Sequence, residues 1–199
     1  MIKGYNKASV FSKSEWLKES VSVKNRPCVF LSHKHEDKQS CREIAKYLAD
    51  SQIDYFLDED DDSLQRAVRQ RNPKKKTENI KRGIRESTHM LVVVSEKTYK
   101  SQWVPFEIGY GHAAILDKTM IQNERENVIK LAILTLKEIS ERNLPSFMQT
   151  GYILRGTKSL NKYIMSINGR LDETLNIETR FFSQNKSKHP LAEILNWKL

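Results

Sequence analysis

Met90-Leu91-Val92-Val93-Val94 is apolar at every position and rich in β-branched side chains, and the fold turns on how it is read. An alternating pattern would mark a strand wet on one face, whereas an unbroken apolar run this short marks a strand covered on both. It is expected at the centre of a sheet. Upstream, Cys28-Val29-Phe30-Leu31 is too short for a helix and makes a first strand, and residues 53–57 make a second. Between them Asp37 can cap a helix in which Cys41, Ile44, Ala45 and Leu48 recur at i, i+3, i+4 and i+7, ending near Ser51. Ile80 and Ile84 mark a short helix before the central strand. Beyond it the pattern predicts a helix over 101–116, a strand over 128–134, a weak strand over 152–154 and a helix over 159–171. In the first of these helices Gly109 and Gly111 lower helix propensity, which points to close backbone packing on the sheet.

The order βαβαβαβ(α)βα predicts an α/β fold. Its form is a flavodoxin-like open parallel five-stranded sheet with helices on both faces, joined by right-handed crossovers. Ligands in such sheets bind beyond the carboxyl ends of the strands, which directs attention to residues 32–36, 58–62 and 95–107.

With 199 residues the chain suits one domain over 27–171, with an N-terminal extension over 1–26 and a C-terminal one over 172–199. The first extension carries one short helix over 14–21, with Ser14 as cap and Trp16, Leu17 and Val21 at helical spacing. Hydrophobic residues at 38% and charged residues at 30% describe a globular chain. No apolar run approaches the roughly 18 residues of a membrane span, and the N-terminus lacks an apolar signal core. Cys28 and Cys41 read as reduced, buried thiols, so a cytoplasmic protein without membrane attachment is expected.

The formal net charge of +9 is unevenly placed. Arg66, Arg69, Arg71, Lys74, Lys75, Lys76, Lys81, Arg82 and Arg85 follow directly on the acidic run Asp58-Glu59-Asp60-Asp61-Asp62. Such opposed blocks read as a solvated loop, and Asn72-Pro73 with the lysine triplet extends that loop over 66–76. The basic stretch has no interleaved aromatics for base stacking, so nucleic acid is not an expected partner. His33 and His35 with Glu36 and Asp37 lack a third defined ligand, and no metal site is expected.

Four segments carry a resemblance in order and spacing. They are Phe30-Leu31-Ser32-His33, Phe56-Leu57-Asp58, Val94-Ser95 and Ser101-Gln102-Trp103-Val104-Pro105-Phe106-Glu107, each at or just after a strand end. Together they resemble the Toll/interleukin-1 receptor (TIR) family over residues 27–171, most sharply in the W-x-x-x-E register of Trp103 and Glu107. The resemblance implies cleavage of the nicotinamide–ribose bond of NAD, a substrate rather than a cofactor, with Glu107 as the catalytic carboxylate. It implies substrate contacts from Ser32, His33, Lys34 and His35, from Asp58, and from Ser95 and Trp103. It further implies an NADase or ADP-ribosyl cyclase that self-associates through its TIR domain. Compact proteins of this kind resemble the signal-producing component of Thoeris-type anti-phage systems, in which the product activates a separate effector. The loop after Asp58 departs from the family pattern, lacking its glycine-containing stretch, so only Asp58 is carried over there.

Side chains four apart on a helix share a face, so Trp103 and Glu107 can project together; Trp103 can equally be core, and both roles are compatible. Ser95 can contact a ligand or cap the turn after its strand. One carboxylate is sufficient for the chemistry, because nicotinamide departs neutral from a cationic pyridinium and needs no general acid. A different class of function, a non-enzymatic module that assembles with other TIR domains, would need no carboxylate at position 107. A receiver-like site is disfavoured because the third strand ends in Val94-Ser95 rather than a phospho-acceptor aspartate.

Overall fold

The computed structural model describes residues 3–11, 26–117, 129–139, 144–168 and 189–196. Five strands, β1 (Cys28–Ser32), β2 (Asp54–Phe56), β3 (His89–Val94), β4 (Leu131–Thr135) and β5 (Tyr152–Leu154), form one sheet in the order β2-β1-β3-β4-β5. Every pairing is parallel, with Phe30 beside Phe56 on one side and Met90 on the other. This is the doubly wound arrangement expected, with β3 at its centre and the strand order reversing between β1 and β3.

The helices are α1 (Lys7–Phe11), α2 (Lys38–Asp50), α3 (Asp62–Arg69), α4 (Pro73–Arg85), α5 (Trp103–Gly111) and α6 (Thr157–Asn168). Side chains alternate across a strand, and the two faces of the sheet accordingly bury two cores. Val29, Leu31, Leu91 and Val93 pack with α2, α6 and the C-terminal Leu191 and Leu195. Cys28, Phe30, Met90, Val92 and Val94 pack with Ile80 and Ile84 of α4 and Val104 and Ile108 of α5. All six residues of β3 are buried, His89 and the unbroken apolar run from Met90 to Val94 alike.

The stretch after β2 corrects the sequence reading. Instead of a solvated loop over 66–76 there are two helices, α3 and α4, and the acidic run is their anchor. Asp61 is 1% exposed and caps α3, accepting from the backbone N–H of Ser63 at 2.9 Å and of Leu64 at 3.1 Å. Arg82 of α4 donates to its other oxygen at 2.8 Å, so the acidic and basic blocks meet inside the fold. Asn72-Pro73 starts a helix rather than ending one: Asn72 accepts from the N–H of Lys75, and proline in the first turn needs no donor. Gly83 lets α4 lie against Phe56, where a Cβ would come within 2.5 Å of the ring.

Other boundaries shift. The helix expected over 101–116 is α-helical to Gly111 and continues as a π-helix over His112–Leu116, beginning where a Cβ on Gly111 would meet Met90 Sδ at 2.5 Å. A Cβ at Gly109 would meet nothing, so close packing applies to one of the two glycines. β4 starts at Leu131 and α6 at Thr157. Asp37 precedes α2 but makes no capping bond with it. The helix expected over 14–21 and residues 169–171 lie outside the described residues. Residues 3–11 run beside β2, with an isolated parallel bridge between Asn6 and Tyr55 and Ala8 buried in the core. Near the other end, the backbone N–H of Thr157 donates to Asn196 at 2.9 Å. Cys28 and Cys41 are buried free thiols. Among the described residues no helix is long and apolar enough to cross a membrane.

Candidate active site

Strand parity aims Ser32 at Glu107. Ser32 shares a face with Phe30, the face that α5 covers, and its Oγ donates to Glu107 Oε2 at 2.5 Å. α5 begins where Ser101 Oγ accepts from the N–H groups of Trp103 and Val104. Val104, Ile108 and Gly111 then turn to the sheet, drawing Glu107 inward until it is 5% exposed. Burial pushes the Glu107 carboxyl up to about 8, and the nearby negative charge of Asp58 adds to the shift; the Ser32 hydrogen bond and the Lys76 ammonium oppose it with smaller effect.

Glu107 lines a cavity of about 380 Å³ beyond the carboxyl ends of β1 and β2, together with His33, Lys34, His35, Asp58 and Trp103. A volume of this order lies within the roughly 300–1,000 Å³ typical of small-molecule sites. Asp58 is half-buried, and its carboxyl is raised by burial, lowered by His33 and raised again by Glu59. The His33 ring is buried in the cavity wall: its Nδ1 lies 3.3 Å from the carbonyl of Leu31 and its Nε2 lies 3.6 Å from Glu59, which Arg42 reaches at 2.7 Å. Lys34 lies 3.9 Å from Glu36.

Of the residues singled out from sequence, His33, Lys34, His35, Asp58, Trp103 and Glu107 meet around this cavity, and Ser32 stands behind Glu107. Ser95 does not join them. It lies one position past Val94, on the parity of Val93, and so faces the α2 side, where its Oγ donates to Asp37 at 2.5 Å and completes a capping box with Thr98. The turn reading of Ser95 describes its contacts. His112 lies near Thr150 Oγ1 at 2.9 Å and does not line the cavity. Among the described residues no group of three or more His, Cys, Asp or Glu side chains could hold a metal ion.

Lys76 was missed in the sequence because it was assigned to a solvated loop. α4 carries it to the cavity wall, with Nζ 4.0 Å from the centroid of the Trp103 ring. The aromatic stripe Trp103, Phe106 and Tyr110 on α5 was the available signal. It faces a cationic stripe on α4, with Lys81 Nζ 5.2 Å from the Tyr110 ring and Arg85 donating to the Tyr110 hydroxyl at 2.9 Å. Trp103 therefore both packs against its neighbour helix and walls the cavity. Burial lowers the Lys76 ammonium, while Asp58 and Glu107 pull it back up.

The chain is similar to a solved prokaryotic SEFIR domain, with 18% identity over 71% of this chain and 92% of that one and a TM-score of 0.44. No curated protein matches the sequence. Residues 29–129, half of the chain, match the family described as TIR domain. That match spans β1, β2 and β3 and the helix bearing Glu107, and the chain belongs to the TIR domain family.

Proposed function

We propose that this protein cleaves the nicotinamide–ribose bond of NAD with Glu107 at the reacting carbon. The observation that carries the reading is a buried carboxyl, held by Ser32, on the wall of a cavity that also presents Trp103 and Asp58. In the reaction the bond between the anomeric carbon and the pyridinium nitrogen breaks, and its electron pair goes to that nitrogen, leaving nicotinamide neutral. The ribose develops oxocarbenium character, which the Glu107 carboxylate stabilises from within a low-dielectric site. Water then attacks to give ADP-ribose and a proton, or an adenine nitrogen of the same molecule attacks to give a cyclic product.

Without substrate beside it, the Glu107 carboxyl, raised by burial to about 8, favours the protonated form at neutral pH. A pyridinium cation beside it favours the ionised form, so the substrate generates the carboxylate it needs. His33, Lys34 and His35, which line the cavity, offer donors for the ribose and phosphates. Ser95, outside the cavity, supports the framework through Asp37. The product serves as a signal in bacterial anti-phage defence, acting on a separate effector, and the active form is a TIR assembly. Chromatography of NAD incubated with concentrated protein tests this; release of nicotinamide with ADP-ribose or a cyclised product supports it, and intact NAD at high protein concentration contradicts it.

A second reading, an assembly module without chemistry, is favoured by Tyr152, 54% exposed on edge strand β5, and Phe147, 37% exposed in the turn before it. Self-association that is unaffected by NAD, with no turnover, would support that reading instead.

A further inference from the structure

A second cavity, of about 320 Å³, lies between α2, the end of β2 and the N-terminal segment, and shares no lining residue with the one that holds Glu107. Its floor is apolar, with Ala45 and Leu57 buried and Tyr55 half-buried. Arg42 and Lys46, one helical turn apart on α2, stand over it as exposed cations, and Lys46 makes no ion pair among the described residues. At the far end Lys3 lies 2.7 Å from Asp50, so that end is neutralised.

Arg42 connects the two cavities. Its Nη2 lies 2.7 Å from Oε2 of Glu59, which lines the cavity of Glu107 and has a side chain only 10% exposed. Neither Glu59 oxygen accepts a hydrogen bond among the described residues, so the contact is ionic and the guanidinium N–H groups remain open to a ligand.

We infer that this second cavity binds a phosphate monoester carried on a flat apolar body, and that binding draws Arg42 away from Glu59. The planar fork of Arg42 and the ammonium of Lys46 match a group with close to two negative charges and three acceptor oxygens, whereas a carboxylate would satisfy the fork and leave Lys46 idle. Tyr55, Ala45 and Leu57 cover the body. Glu59 then keeps His33, 3.6 Å away, as its ion-pair neighbour, so the ligand's arrival reaches the wall of the other cavity. The inference does not rest on cleavage of NAD.

The test is calorimetric titration of phenyl phosphate into the full chain, with inorganic phosphate and phenol in parallel. Phenyl phosphate should bind at least about tenfold more tightly than inorganic phosphate, the scale of burying one ring, and phenol should show no saturable binding. Lys46→Met and Arg42→Met should each weaken phenyl phosphate by at least about fivefold. Glu59→Gln removes the competitor for Arg42 and should tighten it by at least about threefold, while Glu43→Gln, which removes a carboxylate of α2 outside the cavity, stays within about twofold of native. Native affinity in Lys46→Met would overturn the proposal, because the phosphate would then sit against Lys34 and the histidines of the other cavity. Glu59→Gln binding no more tightly than Glu43→Gln would also overturn it, as would the absence of saturable binding at millimolar phenyl phosphate. Lys46 is exposed, so Lys46→Met decides the site even where Glu59→Gln fails to fold.

Discussion

Ser32 Oγ lies 2.5 Å from Glu107 Oε2, tying the end of β1 to the helix that follows β3 across the point where the strand order reverses. The bond stabilises the ionised carboxyl and opposes the effect of burial. Ser32→Ala removes that opposition, so the rise of kcat/KM with pH moves to higher pH and activity at pH 7 falls. A pH profile identical to native would show that the hydrogen bond leaves the carboxyl's titration unchanged.

The elevated Glu107 pKa sets the pH dependence of turnover. In the free protein the carboxylate fraction grows as pH rises through about 8, so kcat/KM climbs over that range, whereas kcat levels off at lower pH because the bound pyridinium has already favoured ionisation. Binding of 1-methylnicotinamide at pH 7 should release protons, read from calorimetry in buffers of different ionisation enthalpy. Binding without proton release would contradict this linkage.

Stability carries the same signature with a defined sign. Glu107 titrates near 8 when folded against an ordinary value of 4.5, so the folded state binds the extra proton between those values. Its contribution is complete below about 4.5 and is lost as pH rises through about 8. Glu107→Gln removes that loss and should be more stable than native at pH 9 by roughly 3–5 kcal/mol in urea unfolding. A difference between the two proteins that does not change from pH 5 to pH 9 would be inconsistent with a raised carboxyl.

Asp61 anchors the segment that separates β2 from β3. Asp61→Ala strips α3 of its cap and removes the carboxylate that Arg82 meets at 2.8 Å, a loss of roughly 2–4 kcal/mol. The urea midpoint should fall with little change in slope. A change below about 0.5 kcal/mol would mean that these contacts are exposed surface pairs.

Ser95→Ala tests strand parity at the site. Its hydroxyl serves Asp37 and the cap of the following turn, so the substitution should cost about 1 kcal/mol of stability and leave KM for NAD within about twofold. A larger rise in KM would place Ser95 in contact with substrate.

The central strand was legible because Met90 to Val94 is apolar without alternation, and the Trp103–Glu107 pair because four residues return a helix to the same side. The position of Ser95 was legible too, had its parity with Val93 been counted from the strand. Ile80 and Ile84 marked the second half of α4, but α3 and the first half of α4 were obscured because their composition looks solvated: Arg and Lys dominate the exposed sides, and Leu64 and Ala67 are the buried positions of α3. The charge opposite them gave no local signal either. Asp61 meets Arg82 only through the packing of α3 on α4, a distance of 21 positions in the chain. Lys76 was hidden with them, since nothing within its own tripeptide of lysines distinguishes the one that meets an indole.

The most direct measurement is the initial rate of nicotinamide release from NAD by Glu107→Gln beside the native protein, at equal high concentration and with folding verified by circular dichroism. The amide preserves shape and burial but cannot ionise, so release should fall by at least about 100-fold, the usual cost of removing a preorganised transition-state charge. Turnover by Glu107→Gln equal to native would contradict the assignment of the carboxylate and, with it, the proposed chemistry of this site.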